Sequence, residues 1–402
     1  MRIVYLHQYF NTPEMSGGTR SYEMARRLVA MGHEVDMVTS WREPDMRTDW
    51  FTTDEAGIRV HWLPVPYSNH MGYNKRIASF LRFASGAARK AASLPADVVF
   101  ASSTPLTIAL PGVYAARRRK VPLIFEVRDL WPEIPIALGA LSNPVARFAA
   151  KRLERFAYAS SAEIVALSPG MAEGIIGTGF PESRVSVIPN SADLDFFSPN
   201  LSGRAEFRSQ LGISGEKILI VYTGTFGLIN GVEYFPKLAA ALENDERFHF
   251  LAVGGGQEFQ HVKDVAESAG VLNRNFQMQG QVPKSDMPKV LAAADIASSL
   301  FISLPELEVN SANKFFDGLA AGCCLAVNYG GWQSRILEET HAGLQLDRDV
   351  SVAARQLQRL ANDPERLAQA KIAARRLAEE RFSRDKLAAQ LEQVLLRATR
   401  GH

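Results

Sequence analysis

The chain has 402 residues, of which 47% are hydrophobic and 22% are charged, and its formal net charge is +2. One hydrophobic core stops growing near about 250–300 residues, so we predict two domains and exclude a disordered or fibrous protein. The near-neutral charge gives no general argument for a nucleic-acid partner. The two adjacent cysteines, Cys323 and Cys324, exclude a disulfide framework and favour a reducing cytoplasm. We expect neither a signal peptide nor a membrane-spanning segment, and therefore a soluble or peripheral protein.

Strands alternate with helical patterns through the first half of the chain, which predicts a parallel, doubly wound sheet. The opening strand Arg2–Leu6 leads into the loop His7–Thr19 and a helix over Arg20–Met31. Further strands are predicted at Glu34–Thr39, Val60–Leu63, Val98–Ala101, Leu123–Glu126, Glu163–Leu167 and Val185–Ile188. We expect ligands to bind at the carboxyl ends of these strands.

Gly17 and Gly18 in the first loop permit a tight turn and a close backbone approach to a ligand, to which Arg20 would add charge. A glycine pair is equally common in ordinary turns. The fingerprint G-x-G-x-x-G does not follow this strand, and the Walker pattern is absent from the chain. Both absences argue against a dehydrogenase or an NTPase.

Two loops that follow predicted strands carry polar side chains at the ligand-binding edge, Ser102–Pro105 and Arg128–Glu133. We predict that Asp129 is the acid/base residue and that Glu133 is a second catalytic carboxylate, since such groups can position a hydroxyl and act on its proton. The alternative is that Arg128 and Asp129 form a structural ion pair while Trp131 fills the core. Three further residues at strand ends are candidates for the site or for purely structural roles: His7, Ser168 and Asn190.

The sequence becomes polar and glycine-bearing between Pro199 and Gly215. We therefore predict an N-terminal domain over residues 1–198 and a C-terminal domain over 199–382, with a final helix over 383–400 that packs back on the first domain. Strands of the second domain are predicted at Ile218–Thr223, Phe248–Val253, Phe276–Gln279, Ile296–Ser299, Cys324–Val327 and Gly343–Leu346. No sequence repeat relates the two halves.

Glycine-rich loops follow the first two strands of the second half, Gly224–Gly231 and Gly254–Gly256. In the first loop, Gly224, Thr225 and Gly227 would let backbone N–H groups reach a diphosphate. After the third strand, Gln281 and Val282 lie where a nucleotide base would be held by backbone hydrogen bonds. The alternative is that these glycines only mark turns.

The segment Pro305–Gly330 reads as an acidic loop, a short helix and a buried strand. We predict that the helix begins near Ser311, with Asn310 and Ser311 as N-caps and backbone N–H groups that suit a phosphate. Lys314 and Asp317 share one helix face, which would present a cation to a diphosphate and a carboxylate to ribose hydroxyls. The opposite face packs through Phe316, Leu319 and Ala320. The alternative is an ordinary amphipathic helix with a solvated face.

The first half is also locally basic. The helical pattern Asn74–Ala92 mixes lysine and arginine with Ile77, Phe80, Leu81 and Phe83, as in helices that lie on anionic membranes. Further cations follow at Arg117–Lys120 and Arg147–Arg155. Membrane contact and a plainly solvated face are both consistent with this pattern.

Together these segments resemble the retaining glycosyltransferases of family 4 over essentially the whole chain. The family implies the GT-B fold, an α/β architecture of two Rossmann-like, doubly wound parallel-sheet domains that face a central cleft. Three motifs, HQYF, RDLWPE and NKFFDGLAAG, are similar to a bacterial branch with N-acetyl-L-fucosaminyl transferases of surface polysaccharide pathways. The resemblance rests on Gly17–Gly18, Gly32–Val35, Val187–Asp193, Gly224–Gly231, Asn313–Asp317 and Arg381–Ser383.

The chain departs from the family at a pair of glutamates with seven residues between them, the second of which binds the donor ribose. Asp317 takes the second place and Val309 the first, while Glu306 and Glu308 lie close by but out of register. The resemblance therefore implies ribose binding by Asp317 and leaves contact of a first carboxylate with the sugar open.

A second departure concerns the basic pair that many relatives carry after the first strand of the second domain. Phe226 and Asn230 occupy that region here. We expect Lys314 to compensate, beside Ser311 and Asn313 at the helix start.

The resemblance implies transfer of an N-acetylated hexosamine or deoxyhexosamine from a UDP-sugar, with retention, in O-antigen, capsule or exopolysaccharide synthesis. The acceptor would be a lipid-linked or saccharide hydroxyl, such as an undecaprenyl-diphosphate-linked sugar at the cytoplasmic membrane face, with Asp129 acting on it. No metal or other cofactor is expected, since helix N–H groups and Lys314 would neutralise the diphosphate. Two alternatives stay open: a UDP-N-acetylglucosamine 2-epimerase-like enzyme and a sugar-nucleotide binder without turnover.

Overall fold

The computed structural model describes residues 1–15, 17–43, 46–66, 73–191, 193–198, 203–213 and 215–401. Two compact units are present, Met1–Pro189 with Asp385–His402, and Asn190–Arg384. The sequence places the boundary between residues 198 and 199, whereas the units divide after Pro189. Within the described ranges no helix is long and apolar enough to cross a membrane.

The first unit is built on an eight-stranded sheet in the order β3-β4-β2-β1-β5-β6-β7-β8. Its strands are β1 (Arg2–Leu6), β2 (Glu34–Trp41), β3 (Phe51–Glu55), β4 (Ile58–Pro64), β5 (Val98–Ser102), β6 (Leu123–Val127), β7 (Glu163–Ala166) and β8 (Val185–Val187). Its first six helices are α1 (Arg20–Ala30), α2 (Tyr73–Ser93), α3 (Ala109–Arg119), α4 (Glu133–Ala137), α5 (Pro144–Ala159) and α6 (Pro169–Gly177). The predicted strands are confirmed, because continuous apolar runs such as that of β1 are buried on both faces of the sheet.

One edge of this sheet is antiparallel, which the sequence analysis missed. Strand β3 pairs antiparallel with β4 through a two-residue turn at Ala56 and Gly57, whose φ angles are 54° and 81°. The sequence of β3, FTTDE, alternates partly buried and exposed residues, so it lacks the apolar run of an inner strand. It caps the sheet as an edge strand.

The second unit has a fully parallel six-stranded sheet in the order β11-β10-β9-β12-β13-β14. Its strands are β9 (Ile218–Thr225), β10 (Phe248–Gly255), β11 (Phe276–Gln279), β12 (Ile296–Ser299), β13 (Cys324–Val327) and β14 (Gly343–Gln345). Its helices are α7 (Arg204–Gln210), α8 (Tyr234–Ala241), α9 (Phe259–Ser268), α10 (Met287–Ala293), α11 (Asn313–Ala320), α12 (Trp332–Thr340), α13 (Val350–Ala361) and α14 (Pro364–Arg381). Cys323 and Cys324 are buried free thiols, as predicted. The carboxyl ends of the central strands β9, β10 and β12 lie at one edge of this sheet.

The last helix, α15 (Arg384–Arg400), belongs to the first unit from Asp385 onward. Leu387, Leu391 and Leu395 recur every four residues and join the core of that unit, each with 2% or less of its surface exposed. Arg27 of α1 also pairs with Asp385 at 2.5 Å. The apolar stripe explains why this helix packs on the first sheet.

Candidate active site

Helix α11 begins later than predicted. It runs from Asn313 with Ala312 as N-cap, and no side chain caps it. The predicted capping roles of Asn310 and Ser311 are therefore wrong. The Ser311 hydroxyl is buried and accepts a hydrogen bond from the Asn190 backbone N–H at 3.0 Å, while the Asn190 side-chain amide donates to the Ser311 carbonyl at 2.6 Å. Because the Ser311 side chain is engaged by Asn190, it does not cap the helix. The first N–H groups of α11 therefore have no intrahelical partners.

Lys314 is half-buried rather than displayed on a solvated face. Its Nζ donates to the Tyr222 hydroxyl at 3.0 Å and lies 4.5 Å from the centre of that ring. Burial lowers the pKa of the Lys314 ammonium to about 7. An anion that binds beside this ammonium would favour its charged form, so the site is suited to a negatively charged ligand.

The backbones of the two glycine-rich loops of the second unit are in close contact. A Cβ on Gly254, whose φ is +150°, would lie 1.8 Å from the carbonyl oxygen of Gly224. A Cβ on Gly256 would lie 2.4 Å from the carbonyl oxygen of Phe226. Only glycine fits at these positions. The packing holds the exposed end of β9 at Gly224, here called the Gly224 turn, beside the Lys314 side chain, with 3.5 Å from a built Gly224 Cβ to Lys314 Cε.

The two residues that replace the family's basic pair have different environments. Phe226 is fully buried and packs on Tyr222 and Phe259. The carboxamide of Asn230, oriented to satisfy both contacts, accepts from Lys314 Nζ at 3.1 Å and donates to the Thr225 carbonyl at 3.0 Å. Asn230 therefore lies against the lysine that we expected to compensate for the missing cations.

Asp317 lies one turn after Lys314 on α11 and is half-buried. Burial raises the pKa of its carboxyl to about 6, although Arg384 and Lys284 act in the opposite direction. Within the described ranges its carboxylate has no hydrogen-bond partner, which leaves it available to accept from ligand hydroxyls. Of the other predicted donor-site residues, Gly224 and Thr225 end β9, Gly227 follows it, Gln281 and Val282 follow β11, and Asn313 begins α11. Gly224, Thr225, Gln281 and Asn313 are exposed, and Gly227 and Val282 are half-buried.

The out-of-register glutamates occupy different positions. Glu306 is half-buried, and its Oε2 has no partner within the part of the chain that the structure describes. Glu308 lies beside the turn Gly330–Gly331, where a built Gly330 Cβ would lie 3.2 Å from its Oε2. Neither residue occupies the register position of the family's first glutamate, which Val309 holds.

In the first unit, Asp129 and Arg128 follow β6 and point to different partners. The Asp129 carboxylate accepts a hydrogen bond from the Thr104 hydroxyl at 2.8 Å. Arg128 Nη1 instead donates to His7 Nε2 at 3.0 Å, which requires that His7 Nδ1–H donates to the Ser21 hydroxyl at 2.7 Å. The alternative of an Arg128–Asp129 ion pair is therefore wrong, and Asp129 is oriented by a neutral hydroxyl.

Glu133 begins α4 and lies near a second buried carboxyl group. Its Oε2 is buried without a partner among the described residues. Burial, and secondarily the charge of Glu133, raises the pKa of Glu154 on α5 to about 7. Glu133 thus shares its surroundings with another acid rather than with a base.

The opening loop departs from expectation at Arg20. Arg20 is buried, pairs with Glu126 at 2.8 Å and donates to the carbonyls of Ile188 and Pro189 at 2.9 and 2.6 Å. Its predicted role of adding charge to a ligand site is wrong, because its N–H donors are engaged by this carboxylate and these two carbonyls. Gly17 and Gly18 are exposed, and Gly17 has a φ of +125°.

Sequence reasoning missed Tyr222, Thr104 and the orienting contact of Asn230. Tyr222 looks like a core residue inside an apolar strand, and only the three-dimensional structure places its hydroxyl against Lys314. Thr104 lies in a loop that the sequence did single out, at the end of β5. The residues described here contain no cluster of His, Cys, Asp and Glu that fits a metal ion.

Two family models match most of the chain: a glycosyl transferase 4-like domain over residues 17–191 and glycosyl transferases group 1 over residues 203–377. The chain is 25% identical to a D-inositol 3-phosphate glycosyltransferase of Xylanimonas cellulosilytica, over 96% of this chain and 93% of that relative. It is also 25% identical to a UDP-N-acetylglucosamine–N-acetylmuramyl-(pentapeptide) pyrophosphoryl-undecaprenol N-acetylglucosamine transferase of Caldicellulosiruptor saccharolyticus, over 60% and 58%.

Its fold is similar to that of HepE from Anabaena, solved in complex with UDP, with a TM-score of 0.73, 15% identity, and coverage of 99% of this chain and 100% of that one. HepE is also solved with UDP-glucose. Both units of the chain have an α/β architecture, in agreement with this similarity of fold. The matched models and relatives show that the chain belongs to the glycosyltransferases with the GT-B fold.

Proposed function

We propose that this glycosyltransferase moves an N-acetylated hexosamine or deoxyhexosamine from a UDP-sugar to a lipid-linked or saccharide hydroxyl, with retention at the anomeric carbon. The observation that carries the proposal is the juxtaposition of Lys314 with the Gly224 turn, with Asp317 one helical turn away. A cation beside exposed backbone suits a diphosphate, and a free carboxylate suits ribose hydroxyls. The UDP complexes of HepE support the choice of uridine nucleotide.

In this proposal Lys314 and the first N–H groups of α11 stabilise the negative charge that develops on the departing UDP. Asp317 accepts hydrogen bonds from the ribose, and Gln281 and Val282 hold the base through their backbone. Because these groups supply positive potential where charge develops, the proposed reaction requires no metal ion or other cofactor.

We assign the acceptor to the first unit. Asp129, oriented by Thr104, would accept a proton from the acceptor hydroxyl or hold it in place. The relative whose name includes pyrophosphoryl-undecaprenol supports a lipid-linked acceptor. Similarity to a colanic acid biosynthesis glycosyl transferase of Escherichia coli supports a place in bacterial surface-polysaccharide synthesis.

We further propose that the first unit contacts an anionic membrane surface at the cytoplasmic side. The sequences of α2, α3 and α5 contain many lysines and arginines and one acidic residue, Glu154, which is buried. Phe83 of α2 packs in the core, whereas Ile77 and Leu81 of the same helix are exposed. Further exposed apolar side chains lie on the neighbouring helices. They include Leu110, Tyr114, Val145 and Phe148, and a depression of about 410 Å³ is lined by Leu110, Val113, Tyr114, Arg117, Arg118 and Phe156. Of the residues named for α2, Asn74 and Arg76 have side chains outside the described set.

The membrane proposal is tested by flotation with vesicles of phosphatidylglycerol or phosphatidylcholine. We expect binding to phosphatidylglycerol vesicles that salt weakens and that Phe148→Ser reduces. Ile372→Ser, at a similarly exposed apolar residue of the second unit, is the matched control. Equal binding of both vesicle types, or none, would contradict the proposal.

The function is tested by a panel of UDP-sugars. A thermal-shift screen identifies the donor, because a ligand at about 100 times its Kd stabilises the folded state by about 2.7 kcal/mol. The stabilising donor is then incubated with and without a lipid-linked acceptor. Acceptor-dependent UDP release supports transfer, sugar interconversion without acceptor supports an epimerase, and binding without change supports a non-catalytic binder.

A further inference from the structure

Lys314 and three neighbouring groups form a closed ring of hydrogen bonds. Lys314 Nζ donates to the Tyr222 hydroxyl at 3.0 Å and to the Asn230 side-chain oxygen at 3.1 Å. The Tyr222 hydroxyl donates in turn to the Thr225 carbonyl at 2.7 Å, and the Asn230 amide nitrogen donates to the same carbonyl at 3.0 Å. The ring therefore connects the lysine on α11 to the end of β9 and to the loop that follows it.

The ring fixes the ammonium without cancelling its charge. Both acceptors are neutral groups, whereas a carboxylate in either place would form an ion pair and compete with an anionic ligand. An ammonium carries three N–H donors, and the described residues account for two of them. The third stays available to a ligand at the Gly224 turn.

We propose that Asn230 and Tyr222 are positioning residues that orient Lys314 Nζ toward the diphosphate of the donor. This inference rests on the proposed function. It gives a role to Asn230, which stands where many relatives of the family carry a basic side chain. One oriented lysine would then replace a pair of cations, and the residue at the lost position supplies its orientation.

Orientation matters because a lysine side chain has four rotatable carbon–carbon bonds and loses rotamer freedom when it binds. Asn230→Leu removes both polar contacts of that residue, and Tyr222→Phe removes only the hydroxyl. We expect each substitution to weaken UDP binding about 5- to 10-fold, the range of a single hydrogen bond. Uridine, which lacks the diphosphate, should bind with unchanged affinity.

The experiment is a double-mutant cycle on the full chain, measured by calorimetric titration with UDP and with uridine. It uses Asn230→Leu, Tyr222→Phe, Lys314→Gln and the two pairwise combinations with Lys314→Gln. We expect that neither Asn230→Leu nor Tyr222→Phe weakens UDP binding further once Lys314 is replaced. A structural role would not produce this loss of effect, and the conservative Tyr222→Phe variant keeps the aromatic core intact.

Two results would overturn the inference. One is an equal loss of UDP and uridine affinity in Asn230→Leu, and the other is a loss of UDP affinity that persists in the Lys314→Gln background. Failure of the proposed function gives a different result, since the unmodified protein would then not bind UDP at all.

Discussion

UDP binding should depend on pH through Lys314. Burial lowers the pKa of this ammonium to about 7 in the ligand-free protein, and a bound diphosphate would raise it again by favouring the charged form. About half of the Lys314 side chains carry the proton at pH 7 and about one in a hundred at pH 9, so the Kd for UDP should rise by up to about 50-fold. The Kd rises with pH because Lys314 takes up a proton when UDP binds, and proton uptake is less favourable at higher pH.

Neighbouring groups do not account for such a slope. Tyr222 stays neutral over this range because burial raises the pKa of its hydroxyl. The carboxyl of Asp317 has a pKa of about 6, so most of its titration lies below pH 7. The second ionisation of the UDP phosphate has a pKa of about 6, so most of it also lies below pH 7. The pH dependence between 7 and 9 is thus assigned to Lys314.

The assay is isothermal titration with UDP at pH 7, 8 and 9, in two buffers with different ionisation enthalpies at pH 8. We expect the unmodified protein to take up about 0.9 proton at pH 8, and Lys314→Gln to show neither proton uptake nor pH dependence. Lys263→Gln, which removes an exposed cation of the same unit, is the matched control and should keep the slope. A flat Kd in the unmodified protein, or the same slope in Lys314→Gln, would refute the reasoning.

Three further substitutions test other parts of the site. Asp317→Asn should weaken UDP about 10-fold or more by removing a charged acceptor, and affinity for 2′,3′-dideoxy-UDP should change much less in parallel titrations. Asp129→Asn should lower kcat about 100-fold or more at unchanged Kd for UDP, and a parallel rise in Kd would argue against an acceptor role. Gly254→Ala should destabilise the second unit by about 3 kcal/mol, measured by thermal unfolding, because its Cβ would meet the Gly224 carbonyl. Gly280→Ala, which has open space, should change the melting temperature little.

Most of the fold follows from the sequence because the inner strands are continuous apolar runs. The predicted strands Phe276–Gln279, Ile296–Ser299 and Cys324–Val327 agree with the structure residue for residue. The edge strand β3 was missed because two of its five residues are exposed, none is fully buried, and its sequence is mostly polar. Apolar periodicity reports burial, and an edge strand is only partly buried.

Some residues of the candidate site could be proposed from the sequence, but their contacts could not. Lys314 and Asp317 could be named from helical spacing, since residues three apart share a face. The start of α11 could not be placed, because the hydroxyl of Ser311 is engaged by Asn190, a residue distant in sequence. The partners of Lys314 were equally hidden, since Tyr222 lies in a strand and Asn230 in the following loop, and only the packed structure brings them together.

The partners of Arg20 and Arg128 show the same limit of prediction from sequence. Each arginine lies at the ligand-binding edge in sequence, yet Arg20 pairs with the buried Glu126 and Arg128 donates to His7. A charged residue near a site can serve the fold instead, because a buried carboxylate such as Glu126 requires a partner. Sequence alone does not show which carboxylates are buried.

The most direct test of the central claim is a crystal structure of the protein with UDP bound. We expect the diphosphate within about 3 Å of Lys314 Nζ, beside the Gly224 turn, and ribose hydroxyls that donate to the Asp317 carboxylate. Nucleotide bound elsewhere in the protein, or at this site with Asp317 turned away from the ribose, would contradict the claim.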